Sequence, residues 1–340
     1  MTRPTFFVLY LWTLLLGSGT AWSQDPSPIS MWKVTEVPEN ENDKKFMTEG
    51  PWSIGDPVHE TLTLHALIDG GILPNGTFSK DKAAAQFIRG VLWNDDPCAQ
   101  LLTENEFSPL QPSKGWIWYI DFRRAQRQAK TGNVTEGMAC PLLGRSHFGD
   151  LQFLHSMADR DGIKPATTVA HILAWANIAY RIALGDIDPR KPLKTDPVAN
   201  TLLSSVSERS AMELLRAQTE SETRARAFGT LLHMLQDSYA RGHVSRVSAS
   251  AKQPVEIIQF LSYVNQDPNK HAHDDSWKDG TSNLERALKI PGAPEALAAS
   301  TELVRRYKNH QPWSEVKVYL ENNLFFVRSD ARDSGPGEYQ

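Results

Sequence analysis

The stretch Leu231-Leu-His-Met-Leu-Gln-Asp-Ser-Tyr-Ala-Arg-Gly-His243 constrains this chain more than any other. His233 and Asp237 stand four residues apart, and at roughly 100° per helical residue such a pair shares one face and can grip one ion. His243 comes six residues after Asp237, about 240° further round, so it points elsewhere unless the helix breaks. Gly242 makes such a break cheap. The spacing therefore implies two metal sites with Asp237 between them, because a carboxylate has two oxygens and can bridge while an imidazole cannot. The other reading of these residues is a buried helix whose histidine is satisfied by hydrogen bonds.

The 340 residues are enough for a sizeable core, and a net charge of −4 gives no basic excess of the kind that duplex nucleic acid attracts. Weak acidity leaves phosphate substrates open, since bound cations reverse the local field. Arg3, the apolar run 6–16 and the small residues after it read as a secretory signal, too short to span a bilayer comfortably. Cleavage after Ala21 and cleavage after Ser23 satisfy the small-x-small rule equally; the first leaves Trp22 as the mature N-terminus. A secreted or periplasmic protein follows, with a signal peptide over 1–21, a polar arm over 22–50, a main domain over 51–327 and a disordered tail over 328–340. In an exported chain the two cysteines, Cys98 and Cys140, pair by default, the alternative being two buried thiols. They are too few for a cysteine-type zinc site, so any metal rests on histidine and carboxylates.

Along the chain, Pro57 suits a first helical turn, with His59 at the helix start as a functional candidate and His65 as core. A helix over 81–93 ends in Trp93-Asn-Asp95-Asp96-Pro97, where the proline pushes Asp96 out of the helical region and leaves carboxylates at the exit. The run 115–122 reads as a short strand or aromatic cluster, followed by Arg123, Arg124 and Arg127 on a solvated face. His147, Asp150 and His155 form a dense group. Helices are expected over 168–184 (with His171 in the core), 207–241, 254–263, 293–307 and 313–326. His271 and Asp275 repeat the four-residue spacing and share an ion if that segment is helical. No phosphate-binding glycine loop and no βαβ alternation is present, so the fold class is all-α with a short irregular or β-like insertion.

With these residues in hand, the chain resembles the zinc-dependent phospholipase C and S1/P1 nuclease superfamily. His233-x3-Asp237-x5-His243 looks like its core motif, Trp93-Asn-Asp95 like its aspartate segment, Ser146-His147-Phe like its next histidine segment, and His271-x3-Asp275 like its last pair. His59 matches an early histidine, and Trp22 the tryptophan that begins the mature chain. The order of these elements is preserved over residues 22–290. The resemblance implies an all-α domain holding three zinc ions at the bottom of a cleft. Asp95, His147, His233 and Asp237 would hold one ion, His243, His271 and Asp275 a second, and Trp22, His59 and Asp237 a third.

Hydrolysis of a phosphodiester is the chemistry such a cluster implies, with Asp95 as ligand and as orienter or base for the attacking water. Asp150 and His155 are candidates for outer groups that fix ligand tautomers. A phospholipase C, acting on phospholipid at a membrane surface, is favoured by the modest acidity, the low cysteine count and the 236–243 version of the motif. A single-strand nuclease is the alternative, and Asp275 is the nuclease habit. Arg241 and Arg246 are candidates for binding an anionic head group or a nucleic-acid phosphate. No obligate protein partner is implied.

Overall fold

The Thr219 hydroxyl accepts from the Glu222 amide and so starts the helix that carries the central motif, α8 (Glu220–Asp237). The computed structural model describes residues 58–74, 82–100, 112–247, 255–266 and 284–339. The expected signal peptide and polar arm lie outside the described residues, as do Trp22, His271 and Asp275.

The described chain is mostly helical. Helix α8 is buried along most of its length and packs against α2 (Lys82–Trp93) and α5 (Pro165–Leu184). The α2–α8 crossing is unusually close. A Cβ on Gly229 would lie 2.1 Å from the Phe87 carbonyl oxygen, and one on Gly90 would lie 2.1 Å from that of Arg226. Two hydrogens at the crossing thus let the exit of α2, which carries Asp95, come down beside the turn that carries His233. Trp93 fixes that exit: its ring stacks on Trp175 at 5.9 Å and its indole N–H donates to the Leu214 carbonyl. Helix α1 (Val58–Asp69) lies against α2 and against α10 (Ala293–Lys308), and α9 (Leu284–Ala287) and α11 (Trp313–Tyr319) complete the C-terminal half.

Residues 115–122 are not a strand. They lie in α3 (Pro112–Gln128), which buries Trp118, Asp121 and Ala125 on one face and exposes Arg123 and Arg127 on the other. The buried Asp121 carboxylate accepts from the Ala139 and Cys140 amides and from the Gln100 side chain. It thereby clamps both ends of a disulfide, Cys98–Cys140. The bridge links the loop after Asp95 to the start of α4 (Pro141–Phe148), which carries His147. Such a bridge is compatible with an extracellular protein. Among the described residues no helix is long and apolar enough to cross a membrane.

Other expectations are corrected. The single helix over 207–241 is three segments: a turn, then α7 (Ala211–Leu214), then α8, each helix with its own N-cap. A preceding helix, α6 (Pro197–Leu202), is capped by the Asp196 carboxylate, which accepts from the Val198 and Ala199 amides. Residues 254–263 hold a strand, not a helix: β2 (Glu256–Phe260) pairs antiparallel with β1 (Val244–Val247), with a register irregularity at Ser245/Arg246. The tail from Arg328 is ordered to Tyr339. It runs beside β2, through parallel bridges at Ile257/Val327 and Leu261/Gly335, and buries Tyr339 with Met157 and Leu261. His65 and His171 are half-buried, on α1 and α5 respectively, and neither joins the central cluster.

Candidate metal centre

Helix α8 ends at Asp237, five residues before Gly242, and a run of tight turns follows. The Ala240 amide donates to the Asp237 carbonyl, and the His243 amide to that of Ala240. This winding brings His243 back to the carboxylate, its Nδ1 3.5 Å from Asp237 Oδ2.

Asp237 is buried, and its two oxygens face different imidazoles. Oδ1 lies 3.1 Å from His59 Nε2. Oδ2 lies 2.8 Å from His155 Nδ1 and 3.0 Å from His233 Nε2. Asp95 faces the same group from α2. Its oxygens are 3.7 Å from His147 Nε2, 4.0 Å from His155 Nδ1 and 3.9 Å from His233 Nδ1. These separations are too long for hydrogen bonds. They suit atoms sharing an ion, since ligands about 2.1 Å from one zinc lie roughly 3–4 Å from each other. His233 Nδ1 is buried and has no hydrogen-bond partner.

One ring nitrogen of each of four histidines is held by an acceptor. His147 Nδ1–H donates to the Leu143 carbonyl at 3.0 Å, and His155 Nε2–H to that of Asn94 at 3.2 Å. His243 Nδ1–H donates to the His155 carbonyl at 2.9 Å, and His59 Nδ1–H to Gln236 Oε1 at 3.0 Å. A neutral imidazole has one N–H, so a ring tied this way presents a bare nitrogen on its other side. Outer acceptors of this kind accompany histidines that hold metals.

The charges follow. Burial pushes the Asp237 carboxyl up, but His233, His243 and His59 outweigh it and hold it well below the usual carboxylate range. Asp95 is held low in the same way, by His233, His147 and His155 against burial. Burial keeps His155 neutral, down to about 4, in spite of its contact with Asp237. Burial also pulls His59 down, but the Asp237 charge and hydrogen bond carry it up to about 10. The site therefore calls for a cation between His59 and Asp237, and in the absence of a metal a proton serves.

Two overlapping groups have the composition and spacing to hold an ion: His59, His233 and Asp237, and Asp95, His155 and His233. Nitrogen and oxygen donors with one buried orphan nitrogen fit zinc. Of the residues expected at the site, His59, Asp95, His147, His233, Asp237 and His243 come together. His155, expected as an outer group, stands between Asp95, His233 and Asp237, where the resemblance put His147. His147 instead touches only the Asp95 side. Asp150 is no outer group: it points away and takes a bidentate ion pair from Arg145. Asp96 turns from the site and its carboxylate caps the Gln100 amide.

Arg246 is not available to an anion. Its half-buried guanidinium lies over the Tyr239 ring and donates to the Ser238, Val255 and Leu324 carbonyls. Arg241 is exposed. Tyr263 was not foreseen: its hydroxyl lies 3.2 Å from His243 Nε2. Beside His59 a shallow pocket opens, lined by Val58, Leu62, Tyr239, Ile290 and Ala293. No family model, curated protein or solved structure matches this chain.

Proposed function

We propose that the chain is an exported zinc-dependent phosphodiesterase with the phospholipase C/P1 nuclease-like fold, acting as a phospholipase C. The observation that carries this reading is the convergence on Asp237 and Asp95 of ring nitrogens of His59, His147 and His155, each bared by an acceptor behind its ring, with His233 between the two carboxylates. His59, Asp95, His147, His155, His233, Asp237 and His243 are the described residues that would hold zinc, with Trp22, His271 and Asp275 proposed to complete a set of three ions. Zinc supplies Lewis acidity there, lowering the pKa of water towards neutrality and offsetting phosphoryl charge.

The chain's own residues do the rest. Asp95 is the most open member, its side chain 35% exposed against 1–6% for His147, His155, His233 and Asp237. Its neighbours keep it ionised, so it can accept a hydrogen bond from an attacking water and orient it. The Trp118 indole N–H donates to the Asp95 carbonyl and holds the backbone beneath it. A second reading, single-strand nuclease, is favoured by Phe122 and Tyr263, half-buried rings 5.1 and 6.0 Å from His147 that could stack a base.

The test is hydrolysis by the mature protein of phosphatidylcholine and phosphatidylethanolamine vesicles and of single-stranded DNA, before and after chelation and with zinc restored. Diacylglycerol release that chelation abolishes and zinc restores is expected. Cleavage of DNA alone would replace phospholipase by nuclease, and activity indifferent to exhaustive chelation would remove the metal mechanism.

A further inference from the structure

Gln236 lies between two of the proposed ligands in sequence, yet its side chain leaves the cluster on the far side of His59. It is buried, and three helices meet on its amide. The Oε1 atom accepts from His59 Nδ1–H at 3.0 Å. The amide nitrogen donates to Thr63 Oγ1 of α1 at 3.0 Å and to Ser300 Oγ of α10 at 3.3 Å. Both hydroxyl-bearing residues are fully buried. With its nitrogen held between two hydroxyls, the amide presents its oxygen to His59. That fixes the proton on Nδ1 and leaves Nε2 to face Asp237 Oδ1 at 3.1 Å.

We infer that Gln236 is a positioning residue that makes His59 an Nε2 ligand, and that the Thr63–Gln236–Ser300 junction sets the affinity of the ion held between His59 and Asp237. This rests on the zinc reading above and deepens it, because it assigns control of one ion to one buried amide. Loss of an outer partner of this type lowers metal affinity by about 10–100-fold. The other ions do not depend on the amide, since the rings of His147, His155 and His243 are held by backbone carbonyls.

Glutamate at this position keeps an acceptor for His59 and can accept from both hydroxyls, whereas leucine keeps the volume and removes the acceptor. A purely structural role predicts the opposite order, because a buried carboxylate disturbs packing more than leucine does. The experiment measures zinc bound per mature protein by elemental analysis, and the affinity of each ion by competition with a chromophoric chelator. It compares the parent, Gln236→Glu, Gln236→Leu and His59→Ala. Gln236→Leu should weaken one ion by about 10–100-fold, the same one that His59→Ala removes, while Gln236→Glu retains it. Unchanged affinities in Gln236→Leu, or a loss in Gln236→Glu as large as in Gln236→Leu, would overturn the inference alone. A parent protein that takes up no zinc would overturn the zinc reading and this inference with it.

Discussion

Asp237 sends one oxygen to His59 and the other to His155 and His233, so a single side chain sets the spacing of the whole centre. Its charge also sets the pH behaviour of the metal-free protein. His59, up at about 10, holds a proton in the folded state that the unfolded chain releases near pH 6.5. The stability this contributes is full below about pH 6.5 and is lost as pH climbs towards the folded value. His155, down at about 4, acts in the other direction: stability falls as pH drops from about 6.5. The melting temperature of metal-free protein should therefore peak near neutrality, and a profile flat between about pH 5 and 9 would contradict this. Zinc must displace the His59 proton, so its uptake should release protons into a weak buffer. Replacing Asp95 by Asn should lower kcat about 10²–10⁴-fold, measured on phosphatidylcholine. His155→Ala should cost an ion by elemental analysis, and His147→Ala should cost less; the reverse order would restore His147 to the place the resemblance gave it. The meeting of His233 with Asp237 was legible because helix geometry fixes what four residues of separation mean. The rank of His155 over His147 was not. The groups that aim these rings are the backbone carbonyls of Leu143 and Asn94, which leave no signature in a sequence.

At the level of elements, the centre depends on how closely α2 approaches α8. Gly229→Ala would set a methyl group against the Phe87 carbonyl and force the helices apart. Overpacking of this kind costs about 1–3 kcal/mol. The expected result is a lower denaturation midpoint together with weaker zinc binding, since Asp95 and His233 ride on opposite sides of the contact; a variant with parental stability and zinc content would show that the approach is not limiting. The helix that ends at Trp93, two residues before Asp95, was readable in the sequence. The errors have identifiable causes. The run Trp-Ile-Trp-Tyr-Ile has strand-like composition, but the buried positions 118, 121 and 125 of α3 follow a helical period. In the long helix expected over 207–241, Ser210 with Glu213 and Thr219 with Glu222 mark new helix starts, and these signals were present in the sequence. In β2 the buried Ile257 and Gln259 alternate with the partly exposed Glu256 and Ile258, a two-residue period hidden in an apolar segment.

Across the whole molecule, two distant ties hold the centre together. The Cys98–Cys140 bridge joins the Asp95 loop to the helix of His147, and its removal by paired serine substitution should cost about 2–4 kcal/mol in chemical denaturation. The C-terminal segment is the other tie. The Ala158 amide donates to the Leu261 carbonyl and the Leu261 amide to that of His243, while Tyr339 packs on Met157 and Leu261. The tail thus braces the backbone on both sides of the cluster, though its polar, glycine-bearing composition gave no hint of order. The proposed chemistry depends on the imidazoles and carboxylates around Asp237 holding zinc. Anomalous diffraction at the zinc edge from crystals of the mature protein tests this most directly. It should show zinc beside both Asp237 oxygens, with nitrogen and oxygen neighbours at about 2.0–2.2 Å from His59, His155 and His233. Zinc-soaked crystals with no anomalous peak near Asp237, and these side chains still in mutual contact, would contradict it.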